Sequence, residues 1–510
     1  MKCQLNVHIH SLEKVTWLDE LSPVTLEPFS DDSGPCESLP SSLLGIFHLF
    51  FTSSLLEYIV AQTNQYALEC MGGEKFAKWT AVTVEELEAY MGFMILMGIV
   101  NLPALRDYWQ KDEIFHYSPI ARRISRDRFM ELTRYLHFAD NSSLAPPGTP
   151  GYDKLGKVRP VIERLSESFS SVYKPGRDVS IDEAMIPFKG RSSLKQYLPK
   201  KPVKRGIKVW ALADGQNGYM SQFQVYTGKT GNTPETGLGG KVVMSLSEAY
   251  QNTFRHVYFD NFFTSPSLLI DLAKVGLYGC GTLSTKRKGF PPTLKETAKK
   301  GMKERGESKT TQYKNLTVSV WQDNKPVTIA ATNSDPTTEE CVNRRKRDGS
   351  RVTVKCPQSV VLYNKFMGGV DYNDQLRGYY HVRLKCRKSY KYIFWFLFDV
   401  AISNAHILAR KYLGSKSTLK DARVLLAKGL IGDYCSRKRP GRPSLAPPSR
   451  RFHSDHFPMR KEKRSKCAYC YHHKKQRRDT DWYCNTCSVF LCHNGKDDDC
   501  YLCYHKHHSR

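Results

Sequence analysis

Between Val179 and Thr282 the hydrophobic pattern changes from a helical repeat to short β-like runs, and this stretch constrains the fold more than any other. Val179–Ala184, Ile207–Ala213 and Tyr219–Tyr226 read as three strands, with Asp214-Gly215 and Asn217-Gly218 punctuating the last turn. Leu238–Tyr250 then reads as a helix, Arg255–Phe259 as a strand, Pro266–Val275 as a helix and Leu277–Thr282 as a strand. Three strands followed by helix, strand, helix and strand is an α/β layout. It is the element order of a ribonuclease-H-like core, whose first part is expected over residues 151–283.

The flanking segments have other patterns. Residues 1–40 have weak periodicity and are expected to be mobile. Over 41–150 the pattern is helical: Leu43, Ile46, Phe47, Phe50 and Phe51 recur at three- and four-residue spacing, and Thr83 before Glu85 and Glu86 marks a helix start. Residues 284–358 are basic, loop-rich and partly β-like, and read as an insertion into the core. Helical pattern returns over 359–435 and completes the core. A basic linker (436–466) and a cysteine-rich module (467–510) follow. The predicted fold class is therefore multidomain α/β: a ribonuclease-H-like catalytic core with a β-rich insertion, an N-terminal helical region and a C-terminal zinc module.

With 510 residues the chain has room for more than one core, and its formal net charge of +27 points to a polyanionic partner, nucleic acid before an anionic membrane surface. The longest apolar stretch, Ile393 to Ile402, contains Asp399 and is about half of the ~20 residues a membrane span needs. The start, MKCQLNVHIHS, lacks the apolar segment of a signal peptide. A cytosolic or nuclear protein without membrane partners is expected.

Four acids stand where such a core would bring them together. Asp182 lies near the end of the first strand, Asp260 follows the fourth, and Asp371 and Asp374 share one face of a late helix through their i,i+3 spacing. Carboxylates gathered in this way repel unless cations bind between them. Hard divalent ions such as Mg²⁺ take oxygen ligands, and a pair of them serves phosphoryl transfer. Glu183 alternates to the other strand face and reads as structural. Gly228-Lys229-Thr230 lacks the earlier glycine of a phosphate-binding loop, since position 223 is Phe.

TNQYA (63–67), MGIVNLPALRDYWQKD (97–112), RDRFMELTRYLHFADN (126–141), SIDEAMIPFKGR (180–191), VYFDNFFTS (257–265) and NKFMGGVDYNDQLRGYY (364–380) resemble, in order, blocks of the piggyBac transposase family. The resemblance runs from about Phe29 to the C-terminus. It implies a DDE-type DNA transposase whose catalytic, Mg²⁺-holding acids are Asp182, Asp260 and Asp371, with Asp374 as a further acid. It implies two Mg²⁺ ions and cut-and-paste cleavage and joining of double-stranded DNA, the transposon ends and a TTAA target. It also implies a homodimer or higher assembly, with 41–150 and part of 360–435 as its dimerisation and DNA-binding region. The alternative is a domesticated descendant: a nuclear DNA-binding protein without transposition activity.

At the C-terminus, Cys467-x2-Cys470 and Cys484-x2-Cys487 precede Cys492, Cys500, Cys503 and His505. Two CxxC pairs with further Cys and His suit two structural Zn²⁺ ions in an interleaved arrangement. His493 competes with His505 for the last place. Ahead of this module, Arg437-Lys438-Arg439-Pro440-Gly441-Arg442-Pro443 resembles a nuclear import signal, so the nucleus is the expected compartment; its Gly-Arg-Pro also resembles a minor-groove hook. Arg344-Arg345-Lys346-Arg347 is a second basic cluster.

Overall fold

The structure is a computed structural model that describes residues 15–506, except 73–76, 78, 113, 200, 202, 229–236, 347, 384–385, 438–455, 457 and 495–498. The import-like run beyond Arg437, and Arg347 of the second basic cluster, lie outside the described residues. The chain forms two compact units, Met1–Tyr434 and Cys435–Arg510.

In the first unit a short pair, β1 (Gly34–Pro35) and β2 (Tyr173–Lys174), precedes the main sheet. That sheet has nine strands: β3 (Asp178–Pro187), β4 (Lys195–Tyr197), β5 (Arg205–Asp214), β6 (Met220–Val225), β7 (His256–Phe259), β8 (Tyr278–Thr282), β9 (Ser308–Tyr313), β10 (Leu316–Gln322) and β11 (Pro326–Ala331). β5 lies antiparallel between β3 and β6, while β7 runs parallel to β3 and β8 parallel to β7. The parallel steps are made by the helices Leu238–Leu246 and Pro266–Lys274, because a crossover needs a connection long enough to return across the sheet. Of the stretch read as an insertion, β9–β11 continue the main sheet through the β11–β8 pairing. The remainder forms a separate two-stranded ribbon, β12 (Glu339–Arg345) and β13 (Arg351–Pro357).

Side-chain alternation gives the sheet two cores. Val179, Ile181, Trp210 and Leu212 pack with the crossover helices, whereas Ala184, Ile186, Val209 and Ala211 pack with the helical region. At the centre of that region lies the helix Ser389–Tyr412. By length and composition it passes for a membrane span, yet 94% of its apolar window is buried inside the fold. Its Asp399 accepts from Arg423 Nη1 at 2.9 Å and from the Val382 N–H at 2.9 Å, and Arg423 also donates to the Tyr380 carbonyl. The two charged side chains are 3% and 0% exposed, so this pair is strongly coupled to folding. Asp399→Ala is expected to cost about 3–5 kcal/mol by stranding a buried cation, measured as a lower midpoint in denaturant unfolding.

The sequence region carrying Phe47, Phe50 and Phe51 holds more aromatics than one small helical layer hides, though core packing accounts for most of them. All three are fully buried, against Phe398, Phe169 and Phe394 respectively. Of the stretch 1–40, much of which reads in the sequence as mobile, residues 15–36 strap the sheet, held by backbone bonds at one end and a buried side-chain pair at the other. The Leu18 N–H donates to the Gln312 carbonyl on β9 at 2.9 Å, and Gln312 returns the bond at 2.8 Å. Arg255, fully buried, donates to Asp31 Oδ2 at 2.8 Å with Phe29 and Tyr250 against its guanidinium.

The second unit is built on a three-stranded antiparallel sheet, β14 (Pro458–Lys466), β15 (Asp479–Cys484) and β16 (Val489–Phe490). Two short helices, Ala468–His472 and Cys500–Lys506, complete it.

Candidate active site and metal centres

Asp182 has the strand parity of Ala184 and Ile186, so it points to the face covered by the helix Gly369–Tyr379. That helix sits close to the strands because Gly369 has no side chain; a Cβ there would come within 2.6 Å of the Asp214 carbonyl oxygen and of Ser180 Oγ. Several hydrogen bonds then fix it. The Val370 N–H donates to Ser180 Oγ at 3.3 Å, and Asn373 Nδ2 donates to the Gly218 carbonyl at 2.9 Å. Asn373 Nδ2 also donates to Asn404 Oδ1 of the buried long helix at 3.4 Å, and Asn404 is itself held by the Met220 N–H at 3.0 Å and the Met220 carbonyl at 2.9 Å. The first and third predicted acids, one on β3 and one on a helix begun 187 residues later, are thus set over the same strands.

Asp260 comes in through the sheet. β3 and β7 pair in parallel with Ile181 opposite Phe259, so the next residue of each strand places Asp260 beside Asp182. The turn after β7 holds it there: Asp260 Oδ1 accepts from the Phe262 N–H at 2.8 Å, and its carbonyl accepts from Thr264 Oγ1 at 2.8 Å. Asp374 is gripped by Arg377 Nη2 at 2.9 Å, whose guanidinium lies 4.5 Å from the Phe396 ring centroid. Asp371 is exposed, at the open side of the group.

These carboxylates feel one another. Burial, and then the charges of Asp260 and Asp371, push Asp182 up to about 6, against the opposing pull of Lys201. Asp260 is raised by burial and by Glu183, and Asp374 by burial and by Asp371; Lys201 offsets both. Glu183 occupies the opposite face, as its parity requires, where it pairs with Lys208. Lys208 in turn lies 4.5 Å from the Phe262 ring centroid, beside the turn that holds Asp260. Lys208, Arg377 and Asn404 give no signal in the sequence, since a buried polar partner is defined only by the fold.

A cluster of mutually repelling, half-dry carboxylates suits hard cations, and Asp182, Asp260, Asp371 and Asp374 are the oxygen donors that would hold them. The tightest groupings lie elsewhere, however. Among the described residues, the sets of three or more Cys, His, Asp or Glu with ligand atoms within 4.8 Å of one another are two quartets in the second unit. One is Cys467, Cys470, Cys492 and Cys500; the other is His456, Cys484, Cys487 and His505. The spacing and the soft sulfur and imidazole donors fit tetrahedral Zn²⁺, with Zn–S near ~2.3 Å. The quartets interleave along the chain, as the CxxC spacing suggested. Cys484 is held down to about 5: burial opposes this, but hydrogen bonds from His505, Tyr501, the Cys487 N–H and His456 outweigh it. A thiol so poised offers the thiolate that a metal needs.

Two ligand expectations change. Cys503 belongs to neither quartet, because Cys467, Cys470, Cys492 and Cys500 already complete the first. His456 takes the place instead; it precedes the first cysteine by 11 residues and reads in the sequence as part of the basic linker. His505 joins the second quartet, whereas His493 is occupied by Asp499 Oδ2 at 2.6 Å.

The family described as Transposase IS4 matches residues 43–406, most of the first unit. The human PiggyBac transposable element-derived protein 3 is 30% identical over 460 residues, covering 88% of this chain and 74% of that protein. The human PiggyBac transposable element-derived protein 2 is 30% identical over 450 residues, covering 84% and 72%. Among solved structures, a piggyBac transposase in a synaptic complex with hairpin DNA aligns with a TM-score of 0.69 at 24% identity, covering 91% of this chain and 98% of that one. The family match, the identity over most of both chains and the shared fold lead to one conclusion: the chain belongs to the piggyBac transposase family.

Proposed function

We propose that this protein is a cut-and-paste DNA transposase that cleaves and joins double-stranded DNA at TTAA sequences, with the β3–β8 unit serving as a ribonuclease-H-like core. The observation that carries the reading is the convergence of Asp182, Asp260, Asp371 and Asp374 from β3, the end of β7 and one clamped helix. Two divalent cations, Mg²⁺ in this reading, would supply activation of the attacking oxygen and stabilisation of the leaving one. The chain's own part is positional. Asp182 and Asp260 are fixed by adjoining strands, Asp371 stands at the open rim where a scissile phosphate approaches, and Arg377 keeps Asp374 oriented. The net charge of +27 supports a DNA partner. The second unit, with two structural Zn²⁺ ions, would help grip the transposon ends. A homodimer in the nucleus completes the proposal, since paired-end cleavage needs two active sites.

A second reading is a DNA-binding descendant that no longer transposes, favoured by the human relatives' description as element-derived. A plasmid excision assay with candidate TTAA-flanked terminal repeats separates the two. Scarless excision lost in the Asp260→Ala protein is expected. DNA binding without excision on any cognate end would favour the descendant.

A further inference from the structure

The β12–β13 ribbon carries a charge arrangement that the proposed active site does not use. Its register sets Arg345 directly opposite Arg351, both exposed. Like charges directly opposed destabilise a strand pair. Two other cations of the ribbon are paired: Arg344 with Asp323 at 3.1 Å and Lys355 with Glu339 at 3.0 Å. Among the described residues, Arg345 and Arg351 have no carboxylate partner; Arg345 Nε makes only a 3.4 Å bond to the Gly349 carbonyl.

The ribbon is also rigidly mounted. Its inner face, including Val354 and Cys356, packs on Trp321, Val360 and Phe366. Trp321 Nε1 donates to the Lys355 carbonyl at 2.7 Å, and the Arg344 guanidinium lies 5.4 Å from the Trp321 ring centroid. Its outer face therefore points away from the core and presents Asn343 hydrogen-bonded to Thr353 at 3.1 Å beside the two arginines. No large apolar side chain stands on that face among the described residues, so it lacks the anchor pocket that a peptide partner uses. A two-stranded ribbon fits a duplex groove, and arginines take phosphate oxygens bidentately.

We propose that the outer face of β12–β13 is a duplex-DNA contact in which Arg345 and Arg351 together hold backbone phosphates. The proposal rests on the reading that this protein acts on DNA. The unpaired arginine pair is then a preorganised anion site, costly alone and relieved by the phosphate.

The test uses the full chain and a short duplex of arbitrary sequence, with binding followed by fluorescence anisotropy from about 50 to 200 mM salt. Removing two phosphate contacts in Arg345→Ala/Arg351→Ala protein is expected to flatten the log K against log salt slope by about 1.8. Arg351→Glu places a carboxylate opposite Arg345. It is expected to keep or raise the melting temperature while weakening DNA binding at least as much as Arg351→Ala. Unchanged slope and affinity in the double variant, with wild-type protein binding the duplex, would overturn the ribbon proposal alone. No duplex binding by wild-type protein would overturn the functional reading with it. Ribbon-dependent capture of poly-glutamate with duplex binding unaltered would overturn it in favour of an acidic protein partner.

Discussion

Asp260→Ala protein is expected to lose DNA strand cleavage by about a thousandfold or more, because a cation that loses a bridging carboxylate gives up several kcal/mol of transition-state stabilisation. DNA affinity should stay within about twofold, since binding rests on cations elsewhere on the surface. A gel assay of nicking on end-containing DNA, run beside anisotropy on the same duplex, measures both. Near-normal nicking would remove Asp260 from the catalytic group. Asp182→Asn should be equally inactive, yet the metal-free variant should be more stable than wild type. Burial and neighbouring charge hold the Asp182 pKa near 6 in the fold, above the ordinary carboxylate value. The folded protein therefore binds this proton more tightly than the unfolded chain, and stability falls as pH rises from about 4 through about 6. At pH 7 the buried carboxylate is charged at a cost of roughly 1–3 kcal/mol, which asparagine avoids. Thermal melts at pH 5 and pH 7 in chelator should show the gap between variant and wild type widening at the higher pH.

Metal removal is the second large effect. A strong chelator is expected to unfold the Cys435–Arg510 unit while Met1–Tyr434 keeps its cooperative transition. The small unit has little apolar interior apart from its cysteines and tyrosines, so bound zinc would supply its folding free energy, typically about 10–16 kcal/mol per structural site. Because the quartets alternate along the chain, Cys484→Ser should empty its own site and weaken the other. Elemental analysis should find two zinc ions per wild-type chain and fewer than one in the variant. Limited proteolysis should then cut within 458–506 first. Two retained zinc ions after Cys484→Ser would contradict the interleaved arrangement. His456→Ala provides the sharper check, since it should reduce zinc where Cys503→Ser does not.

Much of this was legible in the sequence because it rests on local pattern. The strands bearing Asp182 and preceding Asp260 are apolar runs bounded by turn residues, and both ends of each were read to within a few residues. Parity alone assigned Glu183 to the face away from Asp182. The illegible parts depend on distant partners. β9 (SKTTQY) and β12 (EECVNRR) have polar sequences and become strands only because β10 and β13 supply their hydrogen bonds. The burial partners of Phe47 and Phe51 cannot be named until the helix Ser389–Tyr412, over 300 residues on, is placed against them. His456 could not be told from other linker histidines, since its role is set by Cys484, Cys487 and His505. Local alternation is a property of one segment; a ligand set or a buried ion pair is a property of several.

The strap formed by residues 15–36 has a bearing on solution behaviour. β9 ends the main sheet, and an edge strand with free N–H and C=O groups is a template for another chain. The paired bonds between Leu18 and Gln312, with the Gln312 side chain bonded to the Ser22 backbone, occupy part of that edge. This short stretch, poor in periodicity, thereby acts as a guard against edge-to-edge aggregation. A chain shortened past Ser22 would keep its four clustered acids and its sheet, and would trade solubility for a sticky edge.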